Sequence, residues 1–129
     1  LAYVGGYVVA VQVLGKKRAV IASLQPCHLL TDMEAIERLV PHRAARSFPL
    51  KDLIDAAAGA GRDPVEMILL GSDSPIVPAD AGDNVQASVY RRRAGMDADR
   101  AIAPEQAITR EAALGLHRSR IGRSGACGV

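Results

Sequence analysis

The chain contains no tryptophan, one phenylalanine and three tyrosines. Surfaces for single-stranded nucleic acid stack bases on aromatic rings set among basic residues, and Tyr3, Tyr7, Phe48 and Tyr90 interleave with no basic stripe. The net charge is +2. Its short basic clusters, at Lys16–Arg18, Arg91–Arg93 and Arg118–Arg123, are too scattered to track a phosphate backbone. The expectation is therefore solvated basic faces and no nucleic-acid partner. Cysteine is equally sparse. Cys27 and Cys127 sit far apart and form no disulfide framework, so a reduced, cytoplasmic environment is expected. The sequence has no His-x-His, no His-Glu-x-x-His and no Cys-x-x-Cys, which removes every closed metal site recognisable by spacing alone. No glycine-rich loop follows a strand and opens a helix as a phosphate cradle would.

Long apolar runs are also missing, with one exception. Residues Leu1–Gly15 are almost wholly apolar, but they fall short of the roughly 20 residues that a membrane span needs. No charged stretch precedes them, as a signal peptide would require. A buried element and no membrane partner are the expectation. The initial residue, Leu1 rather than Met, suggests a processed or incomplete chain.

What is present reads as one domain of 129 residues, 49% hydrophobic and 23% charged, which is the globular range. The apolar run Val20–Leu24 predicts a buried strand, closed by Pro26, which has no N–H to give a ladder. Thr31 and Glu34 have the spacing of a capping box for a helix over Asp32–Val40, which Pro41 would end. Ser47-Phe48-Pro49 predicts the start of a second helix, with Leu50, Leu53, Ile54 and Ala57 as its apolar stripe and Gly59 and Gly61 as its stop. Met67–Leu70 predicts a second buried strand. Asp83 is expected to cap a helix over Asn84–Arg93, and Thr109 a last one over Arg110–Leu116. Strand, helix, strand, helix with continuous apolar strands reads as α/β with parallel pairing.

Chemistry concentrates at one place. A buried strand that stops at Gly71-Ser72-Asp73 delivers a carboxylate to the carboxy-terminal edge of a sheet or barrel. Asp73 there could ligate a metal or take a proton from water, or it could serve as an ordinary turn residue. Gln25-Pro26-Cys27-His28 occupies the equivalent position after the first strand. His28 could meet a metal or a substrate oxygen, or it could hydrogen-bond loop carbonyls. Cys27 is a poor candidate nucleophile, because adjacency to His28 in sequence is not spatial pairing. His42 and His117 read as structural.

Several of these segments, in order, resemble the family-3 amidohydrolases, metal-dependent hydrolases of the amidohydrolase superfamily. Ala22–Asp32 resembles the family's seventh strand and loop, and Arg43–Leu53 the helix region after it. Leu70–Pro78 is similar to its eighth strand and acidic loop, Asp83–Arg92 to the helix beyond, and Ala107–Leu114 to the start of the last helices. The resemblance runs from about Val20 to His117. It implies the carboxy-terminal portion of a (β/α)8 TIM-type barrel, about strands 7 and 8 with their helices, incomplete in this chain. It further implies a divalent metal, most often zinc, and hydrolysis of amide or cyclic amide C–N bonds in small molecules. Asp73 matches the family's eighth-strand acid, a metal contact and the general base for the attacking water, while His28 matches a substrate-contacting position. Ser72 would orient the acid. The remaining metal ligands, including the His-x-His pair of strand one, would lie amino-terminal to Leu1. On this reading residues 1–19 are an apolar segment of unassigned structure, 20–117 a partial barrel, and 118–129 a disordered or aberrant tail. Alone, such a piece would be inactive and would self-associate through exposed apolar surface. The alternative is a small non-enzymatic α/β module that binds a partner through its apolar amino-terminal segment.

Overall fold

The computed structural model describes residues 21–78 and 80–118. The expectations for 1–19 and for the tail beyond 118 lie outside the described residues, as does the first residue, Val20, of the expected strand.

Two short strands form the sheet: β1 (Ala22–Leu24) and β2 (Ile68–Leu70). They pair in parallel, with Ala22 opposite Ile68, Ser23 opposite Leu69 and Leu24 opposite Leu70. A last ladder bond runs from the Gly71 N–H to the Leu24 carbonyl at 2.9 Å. Side chains alternate across the pleat. Ala22, Leu24, Ile68 and Leu70 point into a core completed by Leu50, Leu53, Ala57, Met67 and Leu116. On the opposite face Ile21 and Ser23 are exposed and Leu69 is half-buried. Among the described residues the core packs on one face of the sheet.

The helices are α1 (Cys27–Leu39), α2 (Leu50–Gly59), the single turn α3 (Pro64–Met67), α4 (Ala81–Tyr90) and α5 (Arg110–His117). Three 3₁₀ turns, Pro41–Arg46, Ala98–Arg100 and Pro104–Gln106, join them. Leu50, Leu53 and Ala57 form the buried stripe of α2, and Gly61, at φ +68°, supplies the left-handed turn beyond its end. A second core lies between α1 and α4, where Leu29, Met33 and Ile36 meet Ala87, Ile102 and Ala103. Among the described residues no helix is long and apolar enough to cross a membrane.

Four boundaries differ from the sequence-based expectation, one of them because the helix expected to run to Arg93 ends at Tyr90, where Arg91 turns left-handed. α1 starts at Cys27, not Asp32, because Pro26 already has helical dihedrals, φ −58° and ψ −28°, and the Cys27 N–H finds an acceptor in the Asn84 side chain. The Thr31–Glu34 capping box does not form. Thr31 lies inside the helix and donates its hydroxyl to the His28 carbonyl at 2.9 Å, while Glu34 turns to Arg93. Met67 closes α3 rather than opening β2, because Asp63 caps that turn by accepting from the Val65 N–H. α4 is capped by Asp80, which accepts from the Gly82 N–H at 2.7 Å, so Asp83 falls in the first turn. There its negative charge faces the positive end of the helix dipole. Thr109 caps α5 as expected, accepting from the Ala112 N–H.

The cluster Arg91–Arg93 is not a solvated face. Arg91 ends α4 in the left-handed region, φ 58°, and its side chain is fully buried. It donates from Nε to the Ile102 carbonyl, from Nη1 to that of Phe48 and from Nη2 to that of Ser47, at 3.0, 3.1 and 2.6 Å. Arg92 donates to the Met96 carbonyl, and Arg93 to that of Leu30 and, bidentately, to Glu34. Burial pushes the Arg91 guanidinium down to about 10.

Two outcomes follow. Arg91→Leu removes the side-chain donor from the carbonyls of Ser47, Phe48 and Ile102, of which Phe48 keeps the Leu50 N–H; at roughly 1–3 kcal/mol for each of the other two, it should cost about 2 kcal/mol or more in urea unfolding. Arg91→Lys should fall between, since an ammonium cannot span three acceptors as the fork does; a Leu variant within about 0.5 kcal/mol of the parent would contradict the assignment. The Arg93 fork holds the Glu34 carboxyl down at about 2, against an ordinary 4.5. A folded value below the unfolded one means that the pair's contribution is complete above pH 4.5 and is lost as the pH falls toward 2. Glu34→Gln should flatten the stability–pH curve in that window, and added salt should do the same in the parent, since the pair is exposed.

Candidate functional site

Parallel pairing in register brings the two strand-to-helix loops to one edge of the sheet. Gln25-Pro26-Cys27-His28 leaves β1, and Gly71-Ser72-Asp73 leaves β2. The loops touch where the Cys27 Sγ lies 3.8 Å from the Ser72 carbonyl oxygen. Gln25 folds back along its own strand, donating from Nε2 to the Ser23 Oγ at 3.2 Å.

Asn84, in the first turns of α4, joins both loops. Its Oδ1 accepts the Cys27 N–H at 3.1 Å, and its Nδ2 donates to the Gly71 carbonyl at 3.0 Å. The side chain is fully buried. One planar amide thus answers a donor from one loop and an acceptor from the other, which an apolar residue cannot do.

Asp73 is exposed and holds φ +58°. Asp is among the residues that tolerate the left-handed region. That conformation swings the chain out of the strand direction, and the Asp73 carbonyl accepts from the Ile76 N–H at 2.9 Å to close the turn. Ser72 is half-buried and meets Cys27 through its carbonyl. His28 is half-buried in the first turn of α1. Asp73 and His28 therefore stand on neighbouring loops at one edge, as their positions after successive parallel strands predict. His42, exposed in a 3₁₀ turn, and His117, in α5, lie on other elements.

Cys27 is the first residue of α1 and is buried. Burial pushes its thiol up, and the nearby charges of Asp83 and Asp73 act in the same direction. A thiol held protonated in this way is a weak nucleophile.

Among the described residues no group of three or more His, Cys, Asp or Glu side chains is placed to hold a metal ion. A zinc site takes three or four protein ligands. Asp73 and His28 do not make one by themselves.

The sequence reading missed Asn84 and Arg91 as organising residues. A signal was there. Asn84, Ser88 and Arg91 recur at i, i+4 and i+7, the spacing of a buried helix face, and all three are buried. Polar residues in that pattern call for internal partners. Ser88 is the exception: its carbonyl accepts the Ile108 N–H, but its buried Oγ has no hydrogen-bond partner among the described residues.

No family model, curated protein or solved structure matches the chain.

The exposed, left-handed Asp73 separates chemistry from folding. Asp73→Asn should leave stability within about 0.5 kcal/mol of the parent, because Asn tolerates this backbone as Asp does. Asp73→Val should cost about 1–3 kcal/mol in thermal or urea unfolding, because a β-branched residue is strained there. Equal stabilities of the two variants would contradict the backbone assignment.

Proposed function

We propose that the chain is the carboxy-terminal portion of a metal-dependent hydrolase of the amidohydrolase type, acting on amide or cyclic amide C–N bonds of small molecules, with Asp73 as its general base. One observation carries the reading. Two adjacent parallel strands in register place a carboxylate and an imidazole on successive loops at their shared carboxy-terminal edge. That edge is where (β/α)8 barrels carry their chemistry. The one-sided cover of the sheet supports the same reading. In an arc of a barrel, helices cover the outer face, and the inner face waits for the side chains of the other strands. Among the described residues the core clusters leave such a face, where Ile21 and Ser23 are exposed and Leu69 is half-buried.

Zinc is the metal this reading expects, and its polarising charge would activate water in the complete enzyme. The described residues supply at most Asp73 and His28 toward it, so further ligands belong to the rest of the barrel. What this chain's own residues contribute is narrower. The Asp73 carboxylate accepts the proton of the attacking water and returns it to the leaving nitrogen as the C–N bond breaks. His28, on the neighbouring loop, donates or accepts a hydrogen bond at the substrate's polar atoms. The remaining strand-to-helix loops would select the substrate. The reading keeps a cytoplasmic setting and predicts self-association of the isolated piece.

A second reading has one observation in its favour. Leu39 and Ile76 are 65% and 73% exposed, as the contact residues of a non-enzymatic partner-binding module would be.

The deciding experiment extends the coding region in frame in both directions and expresses the longest product with zinc. Hydrolysis of N-acyl amino acids and cyclic amides is then assayed. Asp73→Asn should lower kcat by roughly 10²–10⁴-fold with an unchanged circular dichroism spectrum. Equal turnover by the two proteins, or none by the parent, would favour the binding module.

A further inference from the structure

We infer that Asn84 is a positioning residue for the candidate site: its amide locks the loop bearing His28 to the loop bearing Asp73 and fixes their separation. The catalytic part of this inference rests on the function proposed above; the lock itself does not. Gly71 lies two residues before Asp73, and Cys27 lies one before His28. The two atoms that Asn84 joins are thus backbone atoms one and two residues from the candidate residues, one at the start of α1 and one in the loop after β2. β1 and β2 are three residues each, and the ladder ends with the Gly71 N–H on the Leu24 carbonyl. Beyond that bond nothing in the sheet sets the loop spacing. α4 does, through Asn84, with the Cys27–Ser72 contact beside it.

The arrangement is chemically demanding. Oδ1 must accept while Nδ2 donates. A carboxylate in the same place accepts but cannot donate, whereas a protonated carboxyl does both. Asn84→Asp is therefore a lock that pH can open. Among the described residues the titratable groups near it are Asp83 on α4, Asp73 on the β2–α4 loop, and Cys27 and His28 at the start of α1. The two acids and burial all favour the protonated form.

The test uses the whole chain with Cys127→Ser, so that Cys27 alone reports. Its alkylation by iodoacetamide measures opening of the junction. Asn84→Leu, branched at the same carbon but larger and without polar atoms, should react about tenfold faster than the parent at the same pH, as expected for the loss of a buried hydrogen bond worth roughly one factor of ten. Asn84→Asp should react at the parent's rate at low pH and faster as the pH rises, each rate taken relative to the parent at that pH. A residue that merely filled space would give a ratio that does not rise with pH, since a carboxylate beside Cys27 only raises its thiol and slows alkylation, and that result, or an unchanged rate in Asn84→Leu, overturns the lock. In the longest in-frame product, Asn84→Asp should lower kcat at high pH while KM stays nearly constant. An unchanged kcat beside fast alkylation overturns the positioning role. If the parent hydrolyses nothing, the proposed function fails and the alkylation result still decides the lock.

Discussion

A guanidinium buried away from solvent draws its acceptors from the backbone, and Arg91 takes three. Its acceptors belong to the turn before α2 and to the segment that follows α4. One buried side chain therefore sets where α2 starts, where α4 stops and how the chain returns past both. The left-handed backbone at Arg91 is part of the same arrangement. It ends the helix and lets the Arg91 carbonyl accept the Ile102 N–H at 2.9 Å. Gln106, buried in the turn before α5, adds a second tie to α2 by accepting the Asp52 N–H from its first turn.

α4 is consequently held at both ends by polar side chains that reach backbone atoms of distant segments. Arg91 does this at the carboxy-terminal end and Asn84 at the amino-terminal end, with Ala87 in the apolar core between them. A two-stranded sheet of three-residue strands is too small to hold two loops in register alone. Here the helix does that work, and the edge with Asp73 and His28 inherits its geometry. Two apolar clusters flank the arrangement, one under the sheet and one between α1 and α4.

Much of this was legible in the sequence where a local rule dominated. The apolar stripe of α2, the Thr109 cap and the glycine stop at Gly61 follow from periodicity and turn chemistry. So does the placing of Asp73 and His28 after successive strands. The reading failed where a distant partner overrode a local one. Thr31 and Glu34 have a capping-box spacing, but the Asn84 amide supplies the acceptor that lets α1 begin a turn earlier, and Arg93 draws Glu34 away. Arg91–Arg93 looks like a solvated basic run, because nothing in the local sequence shows that carbonyls of Ser47, Phe48 and Ile102 will converge on Arg91. Asp80 took the cap expected of Asp83, a shift of one turn that the run Asp80-Ala81-Gly82-Asp83 leaves open.

If the chain belongs to an amidohydrolase-type barrel, as proposed, the edge bearing Asp73 is the metal-facing rim of that barrel. The most direct measurement is X-ray diffraction from crystals of the longest in-frame product grown with zinc, with anomalous data at the zinc edge. The claim predicts an anomalous peak within ligand distance of the Asp73 carboxylate, roughly 2.0–2.2 Å, and further strands paired along β1 and β2. A solvated Asp73 with no peak at that edge, and a sheet that stops at two strands, would contradict it.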